Sequence, residues 1–232
     1  LDAEKYFQNA KKKINIDHHI SNTGYADENY IVPSASSASE LVYELIDPEK
    51  IDKSIAEALY MGIAHDTGVF QYSCCSPRTM EIAGKLMGMG IDFTGIVDRT
   101  FYQKSYLQQQ ILGRALLESM MLFDGRCIVS VLRNKEMEFY GVESADLDGI
   151  VSVLRNTKGV EVAIFMHECA LQEYKVSMRS NSFVDVSKIA TYFGGGGHVR
   201  AAGCTMQGSM HDVVNNLTLQ IEKQFMEQEK KA

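Results

Sequence analysis

Three consecutive side chains able to bind a metal, Asp17-His18-His19, close a short run, Ile14-Asn15-Ile16, in which apolar residues alternate. Alternation with period two is the pattern of a strand with one buried face, and the turn-forming cluster Ser21-Asn22-Thr23-Gly24 ends it. A carboxylate and two imidazoles therefore sit at the carboxyl end of a strand, the edge at which open α/β sheets place ligands. Carboxylate oxygen and imidazole nitrogen without thiolate suit Mn²⁺, with Mg²⁺ or Co²⁺ compatible. On spacing alone a hydrogen-bonded strand-end turn satisfies the same residues, so this stretch by itself leaves both readings open.

Far downstream lies Gly194-Gly195-Gly196-Gly197-His198-Val199-Arg200-Ala201-Ala202-Gly203. Consecutive glycines cost backbone entropy and let main-chain N–H groups approach an anion without a Cβ in the way. A flexible linker fits poorly, since His198, Arg200 and two alanines follow at once and begin another ordered segment. Asp66 stands just past a helical pattern over residues 52–64, where a carboxylate opposes the helix dipole and hints at a compensating cation. Arg179-Ser180 closes a strand pattern and offers a planar guanidinium fork to a phosphate. The ordinary alternative is a strand-end arginine paired with a nearby acid.

Together these stretches resemble the DHH phosphoesterase family with its C-terminal DHH-associated domain. The likeness is carried by Asp17-His18-His19, by Gly62-Ile63-Ala64-His65-Asp66-Thr67-Gly68-Val69-Phe70, and by Gly195-Gly196-Gly197-His198 followed by Ala201-Ala202-Gly203. It spans essentially the whole chain and points to the NrnA-like oligoribonuclease and phosphoadenosine-phosphate phosphatase branch. The resemblance implies a two-metal phosphodiester hydrolase with Mn²⁺ as its metal. It implies metal ligation by His18 and Asp66, a catalytic His19 at the scissile phosphate, and Asp17 orienting the neighbouring imidazole. His65 falls outside the matching ligand position. It also implies that Arg179, Ser180, Gly195, Gly196, Gly197 and His198 bind substrate, gripping its other end and so selecting short molecules. The expected substrates are short oligoribonucleotides, dinucleotides of the pApA type or phosphoadenosine phosphate. Alternatives are a cyclic di-AMP phosphodiesterase of the same family and a non-catalytic nucleotide-binding fragment. The family's earlier His, Asp-x-Asp and Asp are not found before Asp17, and Asp2 does not stand in for them. The expectation is therefore a fragment lacking its N-terminal segment, with an incomplete metal set and no activity alone.

A net charge of −7 argues against binding along long duplex nucleic acid, which needs many Lys/Arg–phosphate contacts, and leaves a short nucleotide open. No apolar run approaches the ~20 residues that cross a bilayer, and the first residues carry no signal-peptide pattern. Five cysteines without a C-x-x-C pair point to reduced thiols, so the expected setting is cytoplasmic. A homodimer is compatible with these features.

The elements that must position these residues follow from period and caps. Ser37 and Glu40, at capping-box spacing, start a helix. Further helices are expected over residues 52–64, 77–89 and 91–101, a short strand over 69–72, and one long helix over 104–121. Beyond it the pattern predicts strands over 127–132, 160–166, 174–178 and 204–206, with helices after Asp146 and over 184–192 and 210–228. The expected fold is α/β in two domains: a truncated parallel-sheet DHH domain over residues 1–103, a connector helix over 104–122, and a smaller mixed-sheet, substrate-binding domain over 123–232.

Overall fold

The computed structural model describes residues 4–20 and 22–230, and its backbone packing divides the chain into two units, Leu1–Gln103 and Lys104–Ala232. Ser21 of the expected turn and Asp2 lie outside the described residues.

In the first unit α1 (Glu4–Asn9) precedes β1 (Ile14–Asp17), which pairs in parallel with β2 (Glu28–Ile31) so that Asp17 stands opposite Ile31. Helices α2 (Ala38–Leu45), α3 (Lys53–Asp66) and α4 (Pro77–Gly88) follow. Each begins at a side chain that satisfies an otherwise orphaned amide: Ser37 accepts from Glu40 N, Asp52 from Ile55 N, and Ser76 from Thr79 N. Ala56, Leu59, Ile63, Ile82 and Leu86 form the core between them.

Three expectations fail locally in this unit. Helix α3 runs on through Asp66 instead of stopping short of it. The strand expected over residues 69–72 is a turn, because the Thr67 hydroxyl donates to Ile63 O at 2.7 Å and accepts from Phe70 N at 3.0 Å. Val69 and Phe70 there take φ of 55° and 64°, a left-handed pair rare for such side chains. The helix expected over residues 91–101 is a short α5 (Phe93–Val97) that widens into a π-helical turn, Asp98–Tyr102.

The second unit is the longer of the two, not the smaller. It contains α6 (Tyr106–Leu117), β3 (Met120–Leu122), β4 (Cys127–Leu132), α7 (Asn134–Tyr140), α8 (Ile150–Arg155), β5 (Val162–Ala170), β6 (Glu173–Ser180), α9 (Val186–Tyr192), β7 (Gly196–His198), β8 (Ala201–Gln207) and α10 (Met210–Glu229). The strands lie in the order β3-β4-β5-β6-β8-β7, with β4 and β5 parallel and the other neighbours antiparallel. The long helix expected over residues 104–121 ends at Leu117. Met120–Leu122 pairs instead with β4, and Ile111 and Ala115 of α6 are buried in this unit's own core.

Both faces of the central strands are covered. Cys127, Val129, Val131, Val162, Ile164 and Met166 point to one core, shared with Leu217 and Ile221 of α10. Ile128, Leu132, Ala163 and Phe165 point to the other, shared with Ile111 and Leu154. A strand buried on both sides has no polar alternation, and the one polar residue of β4, Ser130, is buried with its hydroxyl donating to Ala115 O at 2.7 Å. The chain is thus α/β, a small parallel sheet followed by a larger mixed one. No helix among the described residues is long and apolar enough to cross a membrane.

Candidate functional site

Asp17 is the last residue of β1, and its carboxylate organises the two histidines after it. Oδ1 accepts from His18 N at 2.7 Å, His19 N at 3.1 Å and His19 Nδ1 at 2.6 Å, while Oδ2 accepts from the Asn22 amide at 2.5 Å. The Asn22 amide first, and the His19 ring next, hold the Asp17 carboxyl well below the usual carboxylate range. With both oxygens engaged, Asp17 is built to orient its neighbours.

The His18 ring contacts Ala35 O through Nδ1 at 3.2 Å. A carbonyl only accepts, so Nδ1 carries the hydrogen, and in the neutral ring Nε2 then has the lone pair, the arrangement of metal-binding imidazoles steadied by a backbone carbonyl. That Nε2 lies 3.6 Å from Asp66 Oδ2, at the end of α3. The separation is too long for a good hydrogen bond and short enough for both atoms to reach one cation. His18 and Asp66 are therefore brought together as an N/O donor pair, and this pair fits part of a divalent-cation site. Among the described residues no three of His, Cys, Asp and Glu gather where a cation could be held. His65 goes elsewhere, its Nε2 2.9 Å from the Thr100 hydroxyl.

Two supports escaped the sequence reading. Asn22 was visible only as a turn residue, yet besides bonding Asp17 it accepts from the Asn15 amide at 3.0 Å, which ties the turn to β1. Glu40 is buried, and its Oε2 accepts from Ser36 at 2.5 Å and Thr79 at 2.7 Å, anchoring the segment whose Ala35 carbonyl holds His18. Capping-box spacing marked Glu40, but its partner on another helix could not be read from the sequence. Ser36 and Ser37, just before α2, are engaged in this anchor and in the cap.

In the second unit the glycine stretch is not a loop. Gly196–His198 forms β7, the edge strand beside β8, with Gly196 opposite Gly203, Gly197 opposite Ala202 and His198 opposite Ala201. A Cβ at Gly195 would collide with the Gly203 carbonyl oxygen, and one at Gly197, where φ is +144°, would lie 2.5 Å from Ala201 O. These two glycines are required by the close approach of the strands. A Cβ at Gly196 would meet nothing within 4 Å, so packing does not demand a glycine there.

On the other side of β8, Arg179 of β6 also stands opposite Ala201. Directly opposed residues of antiparallel strands project to the same face, so Arg179, Ala201 and His198 form one row across three strands. Arg179 itself donates through Nη1 to Met178 O at 3.0 Å. Ser180 is buried, and its hydroxyl donates to Val184 O at 2.7 Å, so it shapes the turn after β6.

Comparison with known proteins agrees with both halves. The DHH family N-terminal domain matches residues 2–63 and the DHHA1 domain matches residues 124–227. The bifunctional oligoribonuclease and PAP phosphatase NrnA of Thermus thermophilus is 33% identical over 198 residues, 84% of this chain and 59% of that protein. Its Bacillus subtilis namesake is 26% identical over 211 residues, covering 89% of this chain and 66% of the other. The crystal structure of an exopolyphosphatase-related protein from Bacteroides fragilis superposes with a TM-score of 0.85 at 28% identity, over 91% of this chain and 64% of that one. The chain thus spans less than two thirds of the length of these relatives.

Proposed function

Because the chain belongs to the DHH family of phosphoesterases and carries a DHHA1 domain, we propose that it recognises nucleotide for a phosphodiesterase of short oligoribonucleotides, dinucleotides or phosphoadenosine phosphate. The observation that carries this reading is the row Arg179–Ala201–His198. A guanidinium and an imidazole flank a methyl side chain on one sheet face, with the sterically open Gly196 two residues from His198 along β7, the next position on that face. Arg179 would bind a phosphate through its planar fork, His198 would donate a further hydrogen bond, and Gly196 would let the anion approach the backbone. Gly195 and Gly197 contribute by keeping β7 close to β8, and Ser180 by fixing the turn beneath Arg179.

In the first unit His18 and Asp66 would hold a divalent cation, Mn²⁺ suiting the imidazole and carboxylate donors and Mg²⁺ or Co²⁺ compatible with them. Bound there, such a cation supplies Lewis acidity toward a phosphoryl oxygen. His19, with Nδ1 on Asp17, would exchange a proton with the leaving oxygen through Nε2, and Asp17 would orient the ring for that transfer.

A second reading has its own support: taken alone, these residues bind nucleotide without turnover. It is favoured by His18 and Asp66 being a pair to which no third donor comes among the described residues. Calorimetric titration of the chain with a 5′-phosphorylated diadenylate, with and without Mn²⁺, separates the two when product is followed in the same samples. Mn²⁺-dependent release of AMP supports turnover by this chain, and binding without product supports the second reading. A chain that binds no nucleotide under either condition overturns both.

A further inference from the structure

The hairpin of β7 and β8 lies at the edge of its sheet, and Gly196 and Gly197 bring no side chains to hold it. Its tip is fastened instead to the segment after β6. Ser180 N donates to Arg200 O at 3.1 Å and Val186 N donates to Val199 O at 3.0 Å. The Arg200 guanidinium donates through Nη1 to Val184 O at 2.8 Å, and that carbonyl also receives the Ser180 hydroxyl at 2.7 Å. The position of the residues just after His198 thus depends on where residues 180–186 place Val184 O.

Residues 181–185 belong to no helix or strand, so no regular ladder fixes them. The Gln224 side chain brackets Asp185, accepting from its N–H at 2.8 Å and donating to its carbonyl at 3.1 Å, and one carboxylate fixes residues 182–184. Glu161, immediately before β5 and 7% exposed, accepts from Phe183 N at 2.8 Å and Val184 N at 2.9 Å on Oε1. On Oε2 it accepts from Ser182 N at 3.0 Å and the Ser182 hydroxyl at 2.5 Å. Asn181 closes the arrangement, with its N–H on Glu161 O at 2.9 Å and its amide on Val160 O at 2.7 Å. Every partner of the Glu161 side chain is a donor, the set an acceptor-only carboxylate satisfies. Burying a carboxylate is costly unless it is bonded in this way, and an apolar side chain would fill the same space without organising a single amide.

We infer that Glu161 is a positioning residue for the glycine-rich hairpin: by gathering the amides of residues 182–184 it sets Val184 O, which holds Arg200 and so places His198 beside Ala201 and Arg179. The inference rests on the proposed nucleotide-binding role of that row. Glu161 is buried beneath the turn and is not itself a substrate contact. It acts through the turn, and its effect on binding is transmitted by Arg200.

The test uses the whole chain carrying Glu161→Gln, Arg200→Ala or both, with Ser182→Ala as a milder variant in case Glu161→Gln does not fold. Amide hydrogen exchange without ligand reads the clasp, and calorimetry with adenosine 5′-monophosphate reads its consequence. Glu161→Gln is expected to speed exchange at Ser180, Val184 and Val186 while Val129 and Ile164 in the central strands keep their protection. Affinity for the nucleotide should fall roughly tenfold, the size of one charge-assisted hydrogen bond. Arg200→Ala should cause a similar loss, and adding Glu161→Gln to it should cost little more, because both act through one contact. Ser182→Ala should show the same pattern at smaller amplitude. Unchanged exchange at Ser180 and Val186 in the folded variants, or losses in affinity that simply add, would overturn the inference. If the unsubstituted chain binds no adenosine 5′-monophosphate, the proposed function fails on that arm, and the exchange pattern still decides whether Glu161 holds the hairpin.

Discussion

Arg179 and His198 stand opposite the same residue, Ala201, on the two sides of β8. With strands about 4.8 Å apart, their Cα atoms are roughly 9–10 Å from each other, and the methyl of Ala201 leaves the space between them shallow. Arg179→Ala and His198→Ala are each expected to weaken binding of a phosphorylated dinucleotide by about ten- to a hundredfold, the loss of a charge-assisted hydrogen bond. Mn²⁺ affinity should stay as it was. Ala201→Leu should block the same site by filling it. Calorimetry on nucleotides with and without the terminal phosphate checks the assignment; equal losses on both would mean that these residues support the fold and not the phosphate.

The glycines allow a sharper separation of packing from binding. Gly197→Ala puts a Cβ 2.5 Å from a main-chain oxygen at φ +144° and should cost about 1–3 kcal/mol in urea unfolding. Gly196→Ala meets open space and should leave the unfolding midpoint nearly unchanged. If Gly196 lies against an anion, that same substitution should nevertheless weaken nucleotide binding. A Gly196→Ala chain with full stability and full affinity would remove Gly196 from the site.

How far the sequence reveals these features depends on where the information lies. Cys127–Leu132 is legible because a strand buried on both faces is apolar nearly throughout, Ser130 excepted, and Pro77–Gly88 because Ser76, Pro77 and Thr79 spell out its start locally. Met120–Leu122 is not, since Met and Leu suit a helix and only pairing with Ile128 and its neighbours makes a strand of them. Val69 and Phe70 look like strand residues, yet the hydroxyl of Thr67 turns the backbone the other way. In the candidate site, Asp17, His18 and His19 stand out by residue type, and it is the family resemblance, not their spacing, that singles them out. Glu40 and Glu161 do not stand out, because what distinguishes them is a partner distant in the chain or a set of backbone amides, and Asn22 does not, because an ordinary turn residue and one that holds Asp17 look the same in sequence.

The buried thiols give the fold a pH signature. Burial pushes Cys127 up to about 12 and Cys204 up to about 11, against about 8.5 in an unfolded chain. Between those values the folded chain keeps protons that the unfolded chain loses, so stability should decline as pH rises above about 8.5. Urea midpoints from neutral to alkaline pH should fall more steeply for the native sequence than for a Cys127→Val, Cys204→Ala variant. Parallel curves would mean that the two thiols ionise as readily in the folded chain as in the unfolded one.

Asp66 and His18 provide the clearest trade between stability and chemistry. Asp66 closes α3, where its carboxylate meets the negative end of the helix dipole, and its Oδ2 is 3.6 Å from His18 Nε2. Asp66→Ala should therefore stabilise the metal-free chain slightly, by about 0.3–1 kcal/mol at low salt. The same substitution should weaken Mn²⁺ binding at least tenfold, and His18→Ala should do so as well, because each removes one of two converging donors. In a protein of the relatives' full length both variants should abolish turnover while the circular dichroism of the fold is retained. Mn²⁺ titration of the two variants beside the native chain decides the matter. Native-like affinity in either would show that the cation does not sit between these side chains, and an Asp66→Ala chain less stable than the native one would show that a contact such as that with His18 outweighs the dipole and makes the carboxylate a support of the fold.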